Sequence, residues 1–503
     1  MGISTAARLA LCVTAVIAVC VGCGIDNGSD NSATENRQPI EWGACPPGSS
    51  SAVQCASIDV PLDWNNPGGA KIQVGVNRLP ATDPAQKIGD LVVNPGGPGG
   101  AGTQFVALEG AEPGLFPGGL RQRFDLIGFD PRGVGTSRPS IQCDADLANR
   151  LPRQFPRGQQ EFDEMVAANR AFGDTCRRRT GDLLDHVDTV SVARDLEVLR
   201  QRLGGAPLTY LGLSYGTEIG AEYARLFPDK SRALALDGAL VHSQPTSTMS
   251  FYESVAIEDS WNRFAAWCRS AAECAVREQD PSQVLDDLVT KAEQHPLPAP
   301  TCQSTGKCRS EVTTDDLLTN LQGRLLSRDP IPNIGDEGWP GLSARLDQAR
   351  NGDASGFASA AFTADSNHAD LGVGCADFRP DFDSYAALKA QQTLLATIAP
   401  HTRGVSQSYR YLARCQGWPA RANPARETVA EPTIATLIVN ATHDPSTSYG
   451  WAQLMLTQIR GSVLLTRDGD GHTSFMGPGR TRDAIVGYLI DATPPAAGLV
   501  LPD

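Results

Sequence analysis

The stretch from Pro207 to Pro228, PLTYLGLSYGTEIGAEYARLFP, is the feature that most limits what this chain can fold into. A strand-like run of leucine, threonine and tyrosine ends at Gly212, and helix-like sequence begins directly after Gly216. The motif between them is G-x-S-x-G, which in this setting marks a sharp, strained turn from strand to helix. Side chains at the two glycines would clash in so crowded a turn. The sequence therefore predicts that Ser214 is pushed out at the carboxyl edge of a sheet, beside the positive end of the following helix.

Strand-like and helix-like segments alternate on both sides of this turn. IGDLVVN and RFDLIGF are apolar runs that each lead into a glycine- or proline-rich loop, and TVSVARDLEVLRQRL carries valine and leucine at spacings of three and four residues. Strands that are apolar on both faces are typical of parallel sheets covered by helices. We therefore predict an α/β fold with a mostly parallel sheet flanked by helices.

A long stretch interrupts this alternation. From about Val241 to Arg426 the sequence contains helix-like segments, proline-rich loops and six of the thirteen cysteines. The alternation returns with TIATLIVNATHDP and GSVLLTRDGDGHTSF. We interpret residues 241–426 as a large, mainly helical lid inserted into a core that consists of residues 40–240 and 427–503.

The first 23 residues predict a bacterial export signal. Arg8 precedes an apolar run from Leu9 to Gly22 that is too short to span a bilayer and fits the apolar region of a signal peptide. The run ends in Val-Gly-Cys23, which is similar to a lipobox, although Cys20 stands where that motif prefers leucine. We expect a signal peptide over residues 1–23 with lipidation at Cys23, the alternative being a plain signal peptide cut nearby. Residues 24–39 then form a flexible tether, and the protein is exported to the cell envelope or secreted.

The cysteines support export. Without Cys12, Cys20 and Cys23, ten remain, an even number, and they fall into close neighbours along the chain. Sequence alone does not fix connectivity. Neighbours paired with each other would give five disulfides, as an oxidising compartment allows. The predicted pairs are Cys45–Cys55, Cys143–Cys176, Cys268–Cys274, Cys302–Cys308 and Cys375–Cys415.

Charge and residue spacing argue against several classes of ligand. The net charge of −14 argues against a nucleic-acid partner, because phosphate binding needs clustered lysine and arginine. The ten cysteines contain no C-x-x-C, and no histidine lies at ligand spacing from them, so we expect no metal and no cofactor. The expected partner is a peptide or ester substrate, the expected membrane contact is only a lipid anchor, and the expected oligomeric state is a monomer.

A serine at such a turn needs a histidine as base and an acid that holds the histidine. His472 is our candidate base, because it follows the strand-like SVLLT in the glycine-rich loop RDGDGHTSF near the C-terminus. His443 is the competitor, but it directly precedes an aspartate at the end of TLIVNAT. His186 and His242 are interpreted as ordinary polar positions.

The acid is expected between the serine and the base along the chain. Asp444 is our candidate, because it lies at the tip of the strand-like TLIVNAT and a turn follows it directly. Asp237, at the tip of RALALD, is the runner-up. Asp468 and Asp470 lie too close to His472 in sequence to approach its ring from the far side and are interpreted as loop residues.

An oxyanion hole requires two backbone N–H groups aimed where negative charge develops. One should come from Tyr215, the residue after the serine. The other should come from NPGGPGGAG, Asn94 to Gly102, where five glycines let the backbone approach a substrate closely. We select Gly97 as this donor. A phosphate-binding loop is the rival interpretation, but the pattern is neither G-x-G-x-x-G nor a P-loop.

Five segments together resemble a known family. NPGGPGGAG, DPRGVGTS, GLSYGTEIGAEYARLFP, ATHDPSTSY and GDGHTSF are similar, in this order, to the secreted tripeptidyl-aminopeptidase group of α/β hydrolases, relatives of prolyl iminopeptidases that include mycobacterial cell-envelope carboxylesterase/peptidases. The resemblance covers about residues 40–489 and implies an α/β-hydrolase fold. It also implies Ser214 as nucleophile, Asp444 as acid, His472 as base, and Gly97 and Tyr215 as oxyanion donors. Relatives often carry proline where this chain has Ser448, which alters the turn after Asp444 but removes no catalytic group.

An aminopeptidase must also neutralise the free ammonium group of its substrate. VGCADF resembles a family segment beside the active site, and Asp377 within it is our candidate for that acid. The alternative is a structural acid next to a Cys375–Cys415 disulfide. Glu218, in the first turn after the serine, is interpreted as complementing the helix dipole.

Three functions remain open from the sequence. The first is a serine exopeptidase that removes short peptides from free N-termini through an acyl-enzyme. The second is a carboxylesterase that acts on acyl esters with the same triad. The third is a non-catalytic envelope lipoprotein on a decayed hydrolase fold, which the complete set of catalytic residues disfavours.

Overall fold

A computed structural model describes residues 38–420 and 429–503, with the side chain of Pro332 left out. The predicted signal peptide, its Cys23, residues 24–37 of the tether and the boundary between residues 426 and 427 lie outside the described residues. Within the described ranges, no helix is both long enough and apolar enough to cross a membrane.

A twisted ten-stranded sheet organises the part of the chain that the structure describes. Its strand order is β1-β2-β3-β5-β4-β6-β7-β10-β11-β12, and a separate pair, β8 and β9, lies in the insertion. The first three strands and the β3–β5 pairing are antiparallel, whereas every pairing from β5 through β12 is parallel. The mostly parallel sheet is thus confirmed, with an antiparallel edge that the sequence did not predict. The strands are β1 (Gly43–Ala44), β2 (Gln54–Pro61), β3 (Lys71–Leu79), β4 (Gly89–Asn94), β5 (Phe124–Phe129), β6 (Leu208–Leu213), β7 (Ser231–Asp237), β8 (Leu297–Pro298), β9 (Glu311–Val312), β10 (Leu437–His443), β11 (Val463–Asp470) and β12 (Val500–Pro502).

Helices follow the strands and cover the sheet. Several begin at side-chain caps; Asp188, for example, accepts a hydrogen bond from Ser191 N at the start of α5. The helices are α1 (Gly102–Ala111), α2 (Gly118–Arg123), α3 (Ala145–Asn149), α4 (Gln159–Thr180), α5 (Thr189–Arg202), α6 (Tyr215–Leu226), α7 (Thr246–Ser270), α8 (Pro281–Gln294), α9 (Pro300–Thr305), α10 (Thr314–Arg324), α11 (Gly338–Arg350), α12 (Ala369–Asp377), α13 (Tyr385–Ile398), α14 (Gln407–Arg414), α15 (Tyr449–Gln458) and α16 (Arg480–Asp491).

Both faces of the central sheet are buried. Tyr210 belongs to an apolar cluster shared with α5 and α6, while its neighbour Leu211 belongs to a second cluster shared with α1 and α16. Val92 and Val93 on β4 alternate in the same way. Alternating side chains that are all buried require a layer of helices on each face, which is the predicted arrangement.

The insertion between β7 and β10 carries helices α7–α14 and an apolar core of its own. Trp261, Phe264 and Trp339 are buried at the centre of this core, with their rings in contact. The insertion also contacts the loops at the carboxyl ends of the central strands. This segment lies within residues 241–426, which the sequence analysis interprets as a lid, and we call it the lid below.

Five disulfides join the ten described cysteines, in the same neighbouring pairs that the sequence analysis names. Cys45–Cys55 joins β1 to β2, and Cys375–Cys415 joins α12 to the end of α14. A crosslink removes conformational freedom from the unfolded chain. Disulfides persist in oxidising compartments, so this set is consistent with an exported protein.

Candidate active site

Ser214 occupies a strained turn between β6 and α6. Its φ of 56° and ψ of −126° lie outside the regions that non-glycine residues normally adopt. A Cβ atom at Gly212 would lie 2.3 Å from the carbonyl oxygen of Gly216, and one at Gly216 would lie 2.7 Å from that of Asn94. Neither position has room for a side chain, which is the physical reason for the G-x-S-x-G spacing.

His472 and Asp444 form a hydrogen-bonded pair at the same edge of the sheet. Asp444 directly follows β10, and His472 lies in the loop after β11. The His472 Nδ1 atom is 2.8 Å from Asp444 Oδ2 and 3.0 Å from Oδ1. The Asp444 carboxylate also accepts hydrogen bonds from Ser446 N, Thr447 N and Thr447 Oγ1 at 2.8–2.9 Å. These contacts fix the carboxylate toward the imidazole.

The electrostatics of the pair suit a general base. Burial works against a charged imidazole, but the Asp444 carboxylate outweighs it and raises the pKa of His472. Burial of Asp444 is likewise outweighed, by His472 and by the N–H donors of Thr447 and Ser446, so that the pKa of Asp444 is lowered. Asp444 therefore stays ionised beside the imidazole and stabilises an imidazolium when one forms.

The imidazole lies above the carboxyl ends of β6 and β7. Ser214 N donates to the carbonyl oxygen of Asp237 at 2.9 Å, and a Cβ atom at the adjacent Gly238 would lie 3.0 Å from His472 Cε1. Ser214 and His472, both well within the described chain, share no direct hydrogen bond in this structure. Such contacts in enzymes without substrate are often long and tighten on binding.

The competing acids and histidine have other partners. The Asp237 Oδ2 atom accepts from Ser474 N and Phe475 N at 2.7 Å each, so this carboxylate holds the loop after His472 in place. Asp470 pairs with Arg263 and Arg328 of the lid. His443 Nδ1 lies 2.7 Å from Asp259 Oδ2 on α7, and Thr442 Oγ1 donates to Asp468 at 3.2 Å.

Two backbone N–H groups near Ser214 are unused. Among the hydrogen bonds of the described residues, neither Gly97 N nor Tyr215 N donates to a protein acceptor. The glycine loop approaches the serine turn closely, since a Cβ atom at Gly96 would lie 2.8 Å from Tyr215 N. Unpaired donors in a tight loop beside a helix N-terminus can stabilise an oxyanion.

Asp377 lies next to the serine turn, in contact with Tyr215. Its carboxylate is buried beneath the serine turn and accepts from Thr189 N at 3.1 Å, Thr189 Oγ1 at 2.7 Å and Tyr215 OH at 2.9 Å. It is absent from the lining of the cavity at Ser214. Asp377 ties α12 to α5 and α6 through these hydrogen bonds, as expected for a structural acid, and its role in amine binding stays a prediction. Glu218 is also buried, and burial, together with the nearby carboxylates of Glu222 and Asp377, raises its pKa well above the usual range. The protonated form that this favours carries no charge for the helix dipole, and the predicted interaction with the dipole stays a prediction.

A small cavity of about 20 Å³ lies at Ser214 under the lid. This volume is close to that of one water molecule. The acid in its lining is Glu253, on the first lid helix α7, which sequence reasoning missed. No motif surrounds Glu253, and only the packing of α7 on α14 brings it to the serine. The lining residues are Gly97, Pro98, Ser214, Leu240, Met249, Glu253, Phe378, Gln407, Ser408, Tyr411, Ser446, Thr447 and Trp451.

The outer side of the His472 loop borders a second cleft, of about 380 Å³, between the core and the lid. There His472 N donates to the carbonyl oxygen of Leu326 at 2.6 Å, so a lid residue bonds directly to the histidine loop. Within the described ranges, no three or more His, Cys, Asp or Glu side chains form a group that could hold a metal ion.

Comparison with known proteins places the chain among hydrolases. Residues 91–278 match a family described as alpha/beta hydrolase fold, and residues 401–500 match one described as TAP-like protein. The chain is 32% identical to the serine protease Hip1 of Mycobacterium tuberculosis over 97% of this chain and 96% of that protein. It is 28% identical to a tripeptidyl aminopeptidase of Streptomyces coelicolor, over 88% of this chain and 82% of that protein. It is 30% identical to carboxylesterase B of M. tuberculosis, over 89% of this chain and 86% of that protein.

The fold, the serine turn and these relatives agree with one another. The relatives carry the names of a protease, an aminopeptidase and an esterase, all of which hydrolyse acyl compounds. The chain is a serine hydrolase and belongs to the α/β-hydrolase family, in the group of TAP-like proteins.

Proposed function

We propose that this protein is an exported aminopeptidase that releases short peptides, of the tripeptidyl type, from free N-termini. The observation that carries the proposal is the convergence of the strained Ser214, the His472–Asp444 pair and the unused N–H groups of Gly97 and Tyr215 at one edge of the sheet. These are the parts that acyl transfer through a serine requires.

The geometry supports a two-step reaction. His472 Nε2 takes the proton of Ser214 Oγ, which attacks the scissile carbonyl carbon, and the resulting oxyanion is held by the N–H groups of Gly97 and Tyr215. His472 then gives the proton to the leaving amine, and an acyl-enzyme remains on Ser214. Water, deprotonated by His472, cleaves the acyl-enzyme, while Asp444 stabilises the imidazolium in both steps.

The lid favours an exopeptidase over an endopeptidase. The lid covers a cavity of only about 20 Å³ at Ser214, and a chain end fits under a lid more readily than the middle of a folded chain. The named tripeptidyl aminopeptidase among the relatives supports the same choice. A carboxylesterase is the second candidate, favoured by the apolar Met249 and Trp451 in the cavity and by the named carboxylesterase relative.

Export is part of the proposal. The apolar run from Leu9 to Gly22 and the five disulfides support export. Lipidation of Cys23 would hold the enzyme at the membrane. We expect the enzyme to be a monomer. Labelling with a radioactive fatty acid, compared between the wild type and Cys23→Ala, tests the anchor. Absence of label in the wild type contradicts it.

The activity is tested with the full-length protein on three substrates: a tripeptide p-nitroanilide with a free amine, its N-acetylated form, and p-nitrophenyl butyrate. We expect cleavage of the free amide, loss of cleavage on acetylation, and no turnover by Ser214→Ala. Equal cleavage of the free and acetylated amides would contradict an aminopeptidase. Turnover of the ester alone would favour the carboxylesterase, and activity of Ser214→Ala near that of the wild type would contradict Ser214 as nucleophile.

A further inference from the structure

We propose that Arg467 and Asp503 form a positioning pair for the histidine of the active site: Arg467 holds the loop that carries His472, and Asp503 holds Arg467. The inference rests on the proposed role of His472 as the general base. It is carried by one juxtaposition: the guanidinium group of Arg467 directs all five of its N–H donors at the residues on either side of His472 and at Asp503.

Four of these N–H groups bond to residues that flank His472 in the chain. The bonds run from Nη1 to Asp470 O at 2.7 Å, from Nη2 to Gly471 O at 2.9 Å and Thr473 O at 3.4 Å, and from Nε to Ser474 Oγ at 3.1 Å. A guanidinium group is planar and its donors keep a fixed geometry. One rigid group therefore fixes the backbone both where it enters His472 and where it leaves it.

The backbone beside His472 needs such support. Gly471 has a φ of 98° and Thr473 a φ of 60°, so both neighbours of the histidine adopt left-handed conformations. A non-glycine residue stays in that region only where its surroundings hold it there. The bond from Arg467 to Thr473 O is part of those surroundings.

Other groups that bond to this loop act on one side of the histidine. The Asp237 carboxylate accepts from backbone N–H groups after His472, and the carbonyl oxygen of His443 accepts from Gly471 N, before it, at 3.3 Å. Arg467 bonds on both sides, so it fixes the bend between them.

Asp503 accepts from the fifth donor. Its Oδ1 atom lies 2.7 Å from Arg467 Nη1, and its Oδ2 atom accepts from Asp470 N at 3.2 Å. The strand β12 pairs in parallel with β11 and places Leu501 opposite Arg467, which brings Asp503 beside the guanidinium group. A charged hydrogen bond of this kind orients the guanidinium group as well as balancing its charge.

Gly469 leaves the space that the Asp503 side chain occupies. A Cβ atom at Gly469 would lie 2.2 Å from Asp503 Cγ, and the three atoms nearest to it all belong to the Asp503 carboxyl group. The backbone of Gly469 lies outside the left-handed region, so an alanine there would act through this clash. The segment RDGDGH thus supplies the supporting arginine and the glycine that admits its partner, besides the histidine.

The test compares Arg467→Lys with a matched control, Arg232→Lys, in the full-length protein. Arg232 also bonds to consecutive carbonyl groups, Leu489 O at 2.7 Å and Ile490 O, but it lies at the start of β7, away from the catalytic edge of the sheet. For each protein, kcat and KM are measured on the free tripeptide p-nitroanilide and on p-nitrophenyl butyrate. The rate at which diisopropyl fluorophosphate modifies Ser214 measures activation of the hydroxyl group without a substrate.

Lysine keeps the charge but donates from a single point, so it cannot reach acceptors on both sides of the histidine. We expect Arg467→Lys to lower kcat by about 10- to 100-fold on both substrates, because misplacing a catalytic group by about 1 Å costs about 100-fold in rate. KM should change little, since Arg467 lines the second cleft rather than the cavity at Ser214. Modification of Ser214 should slow with kcat, because it depends on the same imidazole. Arg232→Lys should lower the melting temperature and leave kcat and the modification rate near the wild-type values.

A kcat for Arg467→Lys close to that of Arg232→Lys would overturn the inference, because the loop would then hold His472 unaided. A raised KM with an unchanged kcat would also overturn it, since that pattern reports lost substrate binding. His472→Ala separates the inference from the function beneath it. If His472→Ala stays active, the proposed base fails and the inference falls with it; if it is inactive while Arg467→Lys matches the control, the inference alone is wrong.

If Arg467→Lys does not fold, Gly469→Ala and Asp503→Ala decide. Each alone takes the carboxylate away from Arg467 and should lower kcat by about 3- to 10-fold, less than Arg467→Lys does, because the four bonds to the loop remain. In the Asp503→Ala background, Gly469→Ala should have no further effect, because the atoms that its methyl group would strike are gone. Effects that multiply in the double variant, or no effect of either single change, would overturn the inference.

Discussion

Substituting Gly96 by alanine should damage the oxyanion site without replacing a catalytic residue. Gly96 has a φ of +91°, and a Cβ atom there would lie 2.4 Å from Leu213 O and 2.8 Å from both Ser214 Cβ and Tyr215 N. The loop must therefore retreat by about 1 Å to restore ordinary contact, and displacements of that size in a catalytic site cost about 100-fold in rate. Because the retreat carries the adjacent Gly97 N–H away from Ser214, we expect kcat to fall by about 10²- to 10³-fold.

The control is Gly48→Ala. Gly48 has nearly the same φ, +94°, but a Cβ atom there has nothing within 4 Å. Both variants carry the cost of a side chain at positive φ, about 1–2 kcal/mol, and only Gly96→Ala pushes on the serine turn. Thermal unfolding monitors the shared cost, and kcat on the tripeptide p-nitroanilide and on p-nitrophenyl butyrate monitors the specific one. A kcat for Gly96→Ala within about threefold of the Gly48→Ala value, well short of the loss of one oxyanion donor, would refute the placement of the oxyanion site at this loop.

Three further substitutions test the acids around the site. Asp444→Asn should lower kcat by about 10⁴-fold; because the carboxylate raises the pKa of His472 against burial, its loss should also move the acid limb of the kcat/KM–pH profile to lower pH, and an unmoved limb would contradict the pairing. Burial raises the pKa of Asp237 to about 6 from 3.8, so the folded protein binds a proton at this carboxyl group more tightly than the unfolded chain does. The free energy of unfolding therefore falls as the pH rises through that range. Asp237→Asn, which places an amide at the unpartnered Oδ1, should gain up to about 3 kcal/mol in unfolding free energy over the wild type between pH 4 and pH 7 by chemical denaturation; a difference independent of pH would contradict it. Asp377→Asn should lower the melting temperature, because it weakens the hydrogen bonds of Thr189 and Tyr215. It should leave the preference for free amines unchanged, and a lost preference would identify Asp377 as the amine-binding acid.

Most of the fold and the serine turn can be predicted from local sequence. The turn at Ser214 depends on five consecutive residues between a strand and a helix, so its geometry can be inferred from the chain itself. The apolar runs at β4, β5, β6 and β10 likewise predict buried parallel strands without knowledge of their partners. The antiparallel strands β1, β2 and β3 pair with their neighbours along the chain, and the sequence analysis did not predict them. The pairing of β3 with β5 skips β4, so it depends on the folded sheet.

The surroundings of the buried acids could not be predicted from the sequence. The segment of Asp377 resembles one beside the active site, and its carboxylate accepts a hydrogen bond from Thr189, 188 residues earlier in the chain. Glu253 reaches the cavity because α7 packs on α14, whose Gln407 lies 154 residues away. Contacts over such distances leave no periodicity or motif in the sequence, so only the folded arrangement distinguishes the two acids.

The hydrogen bond from His472 N to Leu326 O has a consequence for engineering. Exchanging the lid between homologues is one way to alter substrate selectivity. In this protein, however, the lid is bonded to the catalytic loop and cannot be exchanged independently of it. A transplanted lid that lacks a carbonyl at the place of Leu326, or a cation at the place of Arg263 to engage Asp470, would leave the catalytic loop unsupported. Chimeras should therefore be designed with those anchoring points as fixed junctions, and their turnover compared with that of the parent enzymes.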